Sequence, residues 1–271
     1  MSGEPSHAEE PATTAQTSSK TILSRQIEEG LNELTRPRTG LFLSALSAGL
    51  DIGFGPLLMA VILTMAGDVW SEPLLHLALA NAYAVGFIFV VLGRSELFTE
   101  HTTLAVLPVL NRDATLAQLG RLWGIVYAGN IIGGIIFAAI AVTAAPSYGI
   151  ADASAFAEIS VKLTEHSTWG LFTAAILAGW LMGLLSWLVA AAQETISRVF
   201  FVWLVTVTIG MAGLPHSIAG NVEVLAGLFL VPELGVFDYL HFLVLATVGN
   251  AIGGAVFVSL LKYGHVVRGA K

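Results

Sequence analysis

Cysteine is absent from the 271-residue sequence, which excludes disulfides, thiolate nucleophiles and cysteine-type metal sites. Charge is scarce as well: Asp, Glu, Lys and Arg make up 11% of residues against 55% hydrophobic ones, and the mean hydropathy is +0.79. A soluble domain carries about 25% charged residues, so this composition excludes an ordinary globular domain and indicates a protein that lives in a bilayer. Basic residues are nearly missing from one side of the chain's hydrophobic pattern. The formal net charge of −7 comes partly from acidic residues in the N-terminal tail and loops. It implies no nucleic-acid partner, and no cofactor or metal motif is present.

What the sequence does have is long apolar runs. A hydrocarbon core of about 30 Å needs roughly 20 apolar residues per helix, and segments 40–66, 74–93, 122–145, 169–192 and 239–261 meet that length. A sixth run, 199–214, is too short alone; after the interruption PHSIAG it continues as 222–231, so the pair reads as one membrane helix broken in the middle. The second run is interrupted in the same way by GRSELFTEH, residues 93–101, and resumes at 104–110. Six crossings put both ends on one side. Lys20, Arg25, Arg36, Arg38, Arg112, Arg121, Arg198, Lys262, Arg268 and Lys271 then lie inside, Lys162 lies outside and Arg94 falls in the first break. Cytoplasmic loops collect Lys and Arg, so this asymmetry places both termini in the cytoplasm and the protein in the plasma (inner) membrane.

Residues 1–19 are small, polar and acidic and lack the basic-then-apolar order of a signal peptide, which reads as a disordered cytoplasmic tail. In 20–38, Leu23, Ile27, Leu31 and Leu34 recur at helical spacing among charged residues, predicting an amphipathic helix on the inner membrane surface. The transmembrane domain is read as 39–265 and a cytoplasmic C-terminus as 266–271.

The run GNIIGGIIF at 129–137 recurs as GNAIGGAVF at 249–257, an offset of 120 residues that also carries Glu96 of the first break onto His216 of the second. The chain is a duplicated three-helix unit. Three crossings per unit force the second copy to enter from the opposite side, giving inverted repeats with both breaks facing each other at mid-depth. Unwound backbone inside a bilayer is tolerated where protein buries it or water reaches it, so facing breaks imply a pathway. Half-helices beginning after Thr99 and His216 would aim their N-termini at its centre and favour a small anion. The repeated glycines read as small residues that let helices pack closely. The predicted fold class is an all-α membrane protein of six transmembrane helices in two inverted three-helix repeats, helices 2 and 5 broken at the midplane, an aquaporin-like architecture.

Ser95, Glu96, Leu97, Phe98 and Thr99 at the first break, with His216, Ser217, Ile218 and Ala219 at the second, resemble the two motifs of the formate/nitrite transporter family. The resemblance spans roughly residues 40–265. It implies a homopentamer with a pore in each subunit, passing small monovalent anions or their conjugate weak acids through apolar constrictions around a central His. By this resemblance the pore residues are His216, Thr99, Leu97, Phe98, Ile209, Glu96 and Asn221. The sequence departs from the family where Arg94 replaces a Gly, Glu100 a small residue and Gly220 an Asn that arrives one place late as Asn221. Ile209 also replaces an aromatic, and Gly179 replaces an Asn of the fourth helix, which suggests a wider constriction. LFTE followed by AVLPV fits a less-characterised branch of the family.

Several residues admit a plainer reading. Thr99 is an ordinary helix-capping residue, and Leu97 and Phe98 suit a core. Arg94 and Glu100, six residues apart, read as an ion pair stabilising the break, because an unpaired charge at mid-membrane costs at least about 2.5 to 3.5 kcal/mol. Asp51 and Glu223 carry the same cost and line either a vestibule or a subunit interface. Two other functions compete: an intramembrane serine hydrolase using Ser95 with His216 as base, and a neutral-solute channel of the water or glycerol type, for which paired N-P-A motifs are lacking.

Overall fold

The computed structural model describes residues 17–269 apart from residue 233. The tail read at 1–19 therefore falls almost wholly outside the described residues, as does Lys271 of the charge count.

Helix α1 (Ser19–Thr35) starts where the Ser18 hydroxyl accepts the Thr21 N–H at 3.2 Å. It ends before the expected residue 38 because Arg36, preceding Pro37, is pushed to extended backbone (φ −60°, ψ 143°). The first crossing consists of α2 (Arg38–Asp51) and α3 (Phe54–Ala66). The second is α4 (Glu72–Gly93), then a break, then α5 (Phe98–Leu104) and α6 (Val106–Leu110). The third, α7 (Leu116–Ser147), starts on a capping box between Thr115 and Gln118. Next come α8 (Ala153–Thr164) and the fourth crossing, α9 (Thr168–Ala191). The broken fifth crossing is α10 (Thr195–Met211) with α11 (Ser217–Leu230). The sixth is α12 (Val236–Ile252), a π-helical stretch (Gly253–Leu260) and α13 (Leu261–Arg268).

Among the described residues, five helical stretches are long and apolar enough to cross a membrane, and the shorter pair α10 and α11 completes six. Glycine stripes set how closely the helices of each repeat pack. A Cβ on Gly129 would come within 2.7 Å of Ala45 Cβ in α2, and one on Gly249 within 2.6 Å of Ala175 Cβ in α9. Each repeat thus packs its third helix on its first through the same small-residue seam, as in many membrane helix pairs.

The helix α1 packs on the face that also carries α13, its Ile22 and Leu23 clustering with Leu107, Trp187 and Val266. At about 1.5 to 3 kcal/mol per buried Leu or Ile, Ile22, Leu23 and Leu34 hold it firmly against the bundle. The buried Gln26 joins them through Ser186, whose carbonyl it reaches at 3.1 Å. The Lys and Arg distribution makes this the expected inner face, and the cavities below are called inner and outer in that sense. At the opposite face α8, not anticipated from the sequence, buries Phe156 and Ile159 over α11.

Candidate functional site

Both breaks begin with the same backbone device. Arg94 (φ 55°) and Gly213 (φ 60°) take left-handed conformation after α4 and α10. One residue later the Ser95 N–H reaches the Val90 carbonyl and the Leu214 N–H the Ile209 carbonyl, each at 3.1 Å, the six-to-one bond of a Schellman ending. Left-handed backbone costs a residue with a Cβ about 1 to 2 kcal/mol, which explains the Gly expected at position 94. The half-helices then start at the N-cap residues Leu97 and His216. The breaks are therefore related by 119 residues, one fewer than the glycine repeat, and Leu97 rather than Glu96 is the counterpart of His216.

A buried Asn clamps each break. Asn130 Oδ1 accepts the Phe98 N–H at 2.8 Å, while its Nδ2 donates to the Ala45 and Glu96 carbonyls, both at 2.8 Å. Asn250 Oδ1 accepts the Ser217 N–H at 2.8 Å and its Nδ2 donates to the carbonyls of Ala175 at 2.8 Å and Pro215 at 3.0 Å. These two residues escaped the sequence reading. Their signal was the Asn inside each copy of the GN-x-I-GG repeat, an amide in an otherwise apolar helix. The half-helix N-termini therefore offer an anion less than expected: a buried donor needs a partner, and the N–H groups of Phe98, Ser217 and Ala219 already have theirs.

Between the clamps the breaks meet. Thr99 Oγ1 and His216 Nε2 lie 2.7 Å apart, both residues essentially buried. His216 Nδ1 accepts the Ala219 N–H at 3.1 Å and so caps α11. That bond assigns the ring as a neutral imidazole with its hydrogen on Nε2, pointing at Thr99. Thr99 itself is not a cap, because α5 begins at Phe98 and Leu97 holds the N-cap position. The Phe87 ring stands edge-on to His216 with centroids 4.9 Å apart.

Two cavities approach this pair. The inner one, about 980 Å³, is lined by Arg25, Glu29, Arg36, Glu96, Glu100 and Arg198 among others. The outer one, about 150 Å³, has His216, Ile209 and Glu223 in its wall. Leu97, fully buried, lies in sequence between Glu96 and Glu100 of the inner cavity, and Thr99 bonds His216 of the outer one. Residues 97–99 are in the lining of neither cavity.

The other predicted residues are placed as follows. Arg94 and Glu100 form no ion pair; Arg94 is exposed, and the charge network runs through Glu96, which bonds Arg36 Nη1 at 2.8 Å and His101 Nε2 at 2.5 Å. The pairing fails because the left-handed turn at Arg94 leaves that side chain open to the cavity, while Arg36 arrives from the α1–α2 linker. On α1, burial and then the Glu96 carboxylate push the Glu29 carboxyl above its usual range. Phe98 sets its ring edge-on against Trp123 and Tyr127, at 5.8 and 5.0 Å, and lines neither cavity. Asn221 accepts the Tyr239 hydroxyl at 2.7 Å and reaches the Ile131 carbonyl at 3.5 Å, tying α11 to α12 and α7. Gly179 sits where α9 crosses α12, its missing Cβ directed at the Asn250 backbone; it belongs to the helix seam and widens no constriction. Ser95 makes no bond to His216, whose ring nitrogens are taken by Thr99 and Ala219. Asp51 accepts the Ser47 hydroxyl at 3.0 Å.

A family model described as formate/nitrite transporter matches residues 20–264. The inner membrane protein YfdC of Escherichia coli (strain K12) is 32% identical over 243 residues, 88% of this chain and 76% of that protein. A probable formate transporter of Methanothermobacter thermautotrophicus is 29% identical over 234 residues, covering 80% and 85%. Among solved structures, a pentameric formate channel with formate bound superposes with a TM-score of 0.73 at 25% identity, covering 85% of this chain and 98% of that one.

Proposed function

Because this chain belongs to the formate/nitrite transporter family, we propose that it conducts small monovalent anions or their conjugate weak acids across the membrane, with proton coupling. It works as a homopentamer with a pore in each subunit, in the plasma (inner) membrane with both termini cytoplasmic. The substrate leaves chemically unchanged. The formate channel and the probable formate transporter among its relatives support formate as the first substrate to test, and the Lys and Arg distribution supports the orientation.

The observation that carries this reading is the hydrogen bond between Thr99 and His216, made where two inverted half-helices meet and flanked by a cavity on each side. An anion entering the stretch 97–99 would give up hydration with little to replace it, whereas its neutral acid gives up much less. The pair offers a matched contact to such a substrate. With His216 Nε2–H donating to Thr99, the threonine hydroxyl hydrogen is left to donate to a carboxylate or nitrite oxygen. The fixed ring orientation, held by the Ala219 N–H and the edge of Phe87, keeps that donor in place. Glu96 anchors the break from the inner side through Arg36 and His101.

The test is flux into liposomes carrying the purified protein, across formate, nitrite, acetate, lactate, hydrosulfide and chloride at two pH values. Formate and nitrite should pass faster at the lower pH and chloride should not. Equal chloride and formate flux at both values would contradict the weak-acid reading. A Thr99→Val variant should pass less substrate without moving the pH dependence.

A further inference from the structure

Glu223 is a titratable group with no task in the pathway just described. It lies seven residues beyond His216, close to two turns of helix, so the two share a face of α11 and a wall of the outer cavity. The residue is 6% exposed, and its side chain has no hydrogen bond or ion pair among the described residues. The contrast with Asn221, two residues earlier, is direct, since that amide is satisfied by Tyr239 and Ile131. Met59, Leu63, Leu79, Ile159, Leu163 and Ile209 make most of the cavity apolar. The titratable groups around it are His76 and Tyr83 of α4, Lys162 of α8 and His216. Lys162 is paired with Glu158 at 2.9 Å; of the tyrosines on α7 and α12, Tyr127 bonds Thr247 and Tyr239 bonds Asn221. No cation is therefore committed to Glu223. A buried polar group without a protein partner calls for a reason, such as a water, an ion or a chemical role.

We propose that Glu223 is the proton-exchange residue of the outer cavity, handing its proton to a weak-acid anion before that substrate reaches Thr99 and His216. The inference rests on the transport reading above. In the step, the carboxyl O–H of Glu223 breaks, its electron pair stays on the Glu223 carboxylate, and an O–H bond forms on the substrate oxygen. The neutral acid moves on to the pair, and water from the outer face returns a proton to Glu223. While ionised, Glu223 repels a second anion from a space of this size, so one proton accompanies each substrate. General acid–base transfer of this kind requires only hydrogen-bond reach between the two oxygens, which a shared small cavity supplies.

The experiment measures formate uptake into liposomes against outer pH for the wild type, Glu223→Gln and Glu223→Asp, with solubilised assembly of each checked by size-exclusion chromatography. Wild-type flux should rise as outer pH falls and then level off once Glu223 is protonated. Glu223→Gln keeps the side chain's shape but exchanges no proton. Its flux should follow the free-acid concentration, on the order of tenfold per pH unit, with no plateau, and Glu223→Asp should restore a plateau at a shifted midpoint. A Glu223→Gln profile with the wild-type plateau and midpoint overturns the proposal, as does a Glu223→Asp midpoint unchanged from wild type should the Gln variant fail to assemble. Absence of uptake by the wild type for every acid would instead overturn the transport reading itself.

Discussion

Removing the Asn130 amide should damage the protein more than any other single side chain at the first break. Asn130→Ala strips partners from the Phe98 N–H and from the Ala45 and Glu96 carbonyls. The site is fully buried, and water cannot take the place of the lost bonds. Each stranded group costs about 1 to 3 kcal/mol, so even the low end gives about 3 kcal/mol, against a typical total stability of about 5 to 15 kcal/mol. For a chain of this size about 1 kcal/mol moves the melting temperature by about 2 to 4 °C, which makes the expected fall at least about 6 °C. Asn250→Ala removes the same number of bonds from the second break and should fall by a comparable amount. Thr143→Ala serves as the control, because its hydroxyl bonds only the Ala139 carbonyl of its own helix at an exposed position; such surface changes stay within about 0.5 kcal/mol. The assay is thermal unfolding in detergent, followed by the monodisperse fraction on size-exclusion chromatography. If Asn130→Ala and Asn250→Ala melted within about 2 °C of wild type, the clamp argument would be wrong.

Arg94→Gly should stabilise the fold by about 1 kcal/mol, since Gly occupies left-handed backbone without the Cβ penalty; a melting temperature at or below that of wild type would count against the strain at position 94. In double-mutant cycles, Arg36→Gln with Glu96→Gln should show a coupling energy of about 0.5 to 3 kcal/mol, while Arg94→Gln with Glu100→Gln should be additive, and melting temperatures of the four single and two double variants decide both. Single cysteines at Ser71 and Ser154 should react with an impermeant thiol reagent from outside cells and those at Asp113 and Ser197 should not; the opposite pattern would reverse the orientation.

Much of the architecture was legible because hydrophobic length and internal duplication are properties of the sequence alone. The six crossings, the two broken helices and the meeting of Thr99 with His216 all follow from apolar runs, their interruptions and the repeated GN-x-I-GG segment. Side-chain partners across long loops were not legible. The Arg94 and Glu100 pair was inferred from closeness in sequence, whereas Glu96 finds its cation 60 residues away in Arg36, a contact that depends on where α1 ends at Pro37. The one-residue slip between the breaks and the glycine seam hid the equivalence of Leu97 and His216, because a single offset was applied to both. Asn130 and Asn250 were overlooked although the repeat displayed them, since their glycine neighbours gave a sufficient packing reason for the motif. The helix α8 carries too few apolar residues to cross a membrane, and its burial depends on α11 lying beneath it.

The central claim is that a weak acid crosses as its neutral form past a Thr99–His216 pair. It is tested most directly by formate flux into liposomes as a function of external pH, with membrane current recorded in parallel, for wild type, His216→Asn and His216→Phe. Wild-type flux should rise as external pH falls and carry no net charge. In the His216 variants formate should either stop or cross as a charge-carrying anion, and in the latter case its flux should no longer follow external pH. Unchanged rate, pH profile and electroneutrality in both variants would show that His216 only caps α11, and would contradict the account.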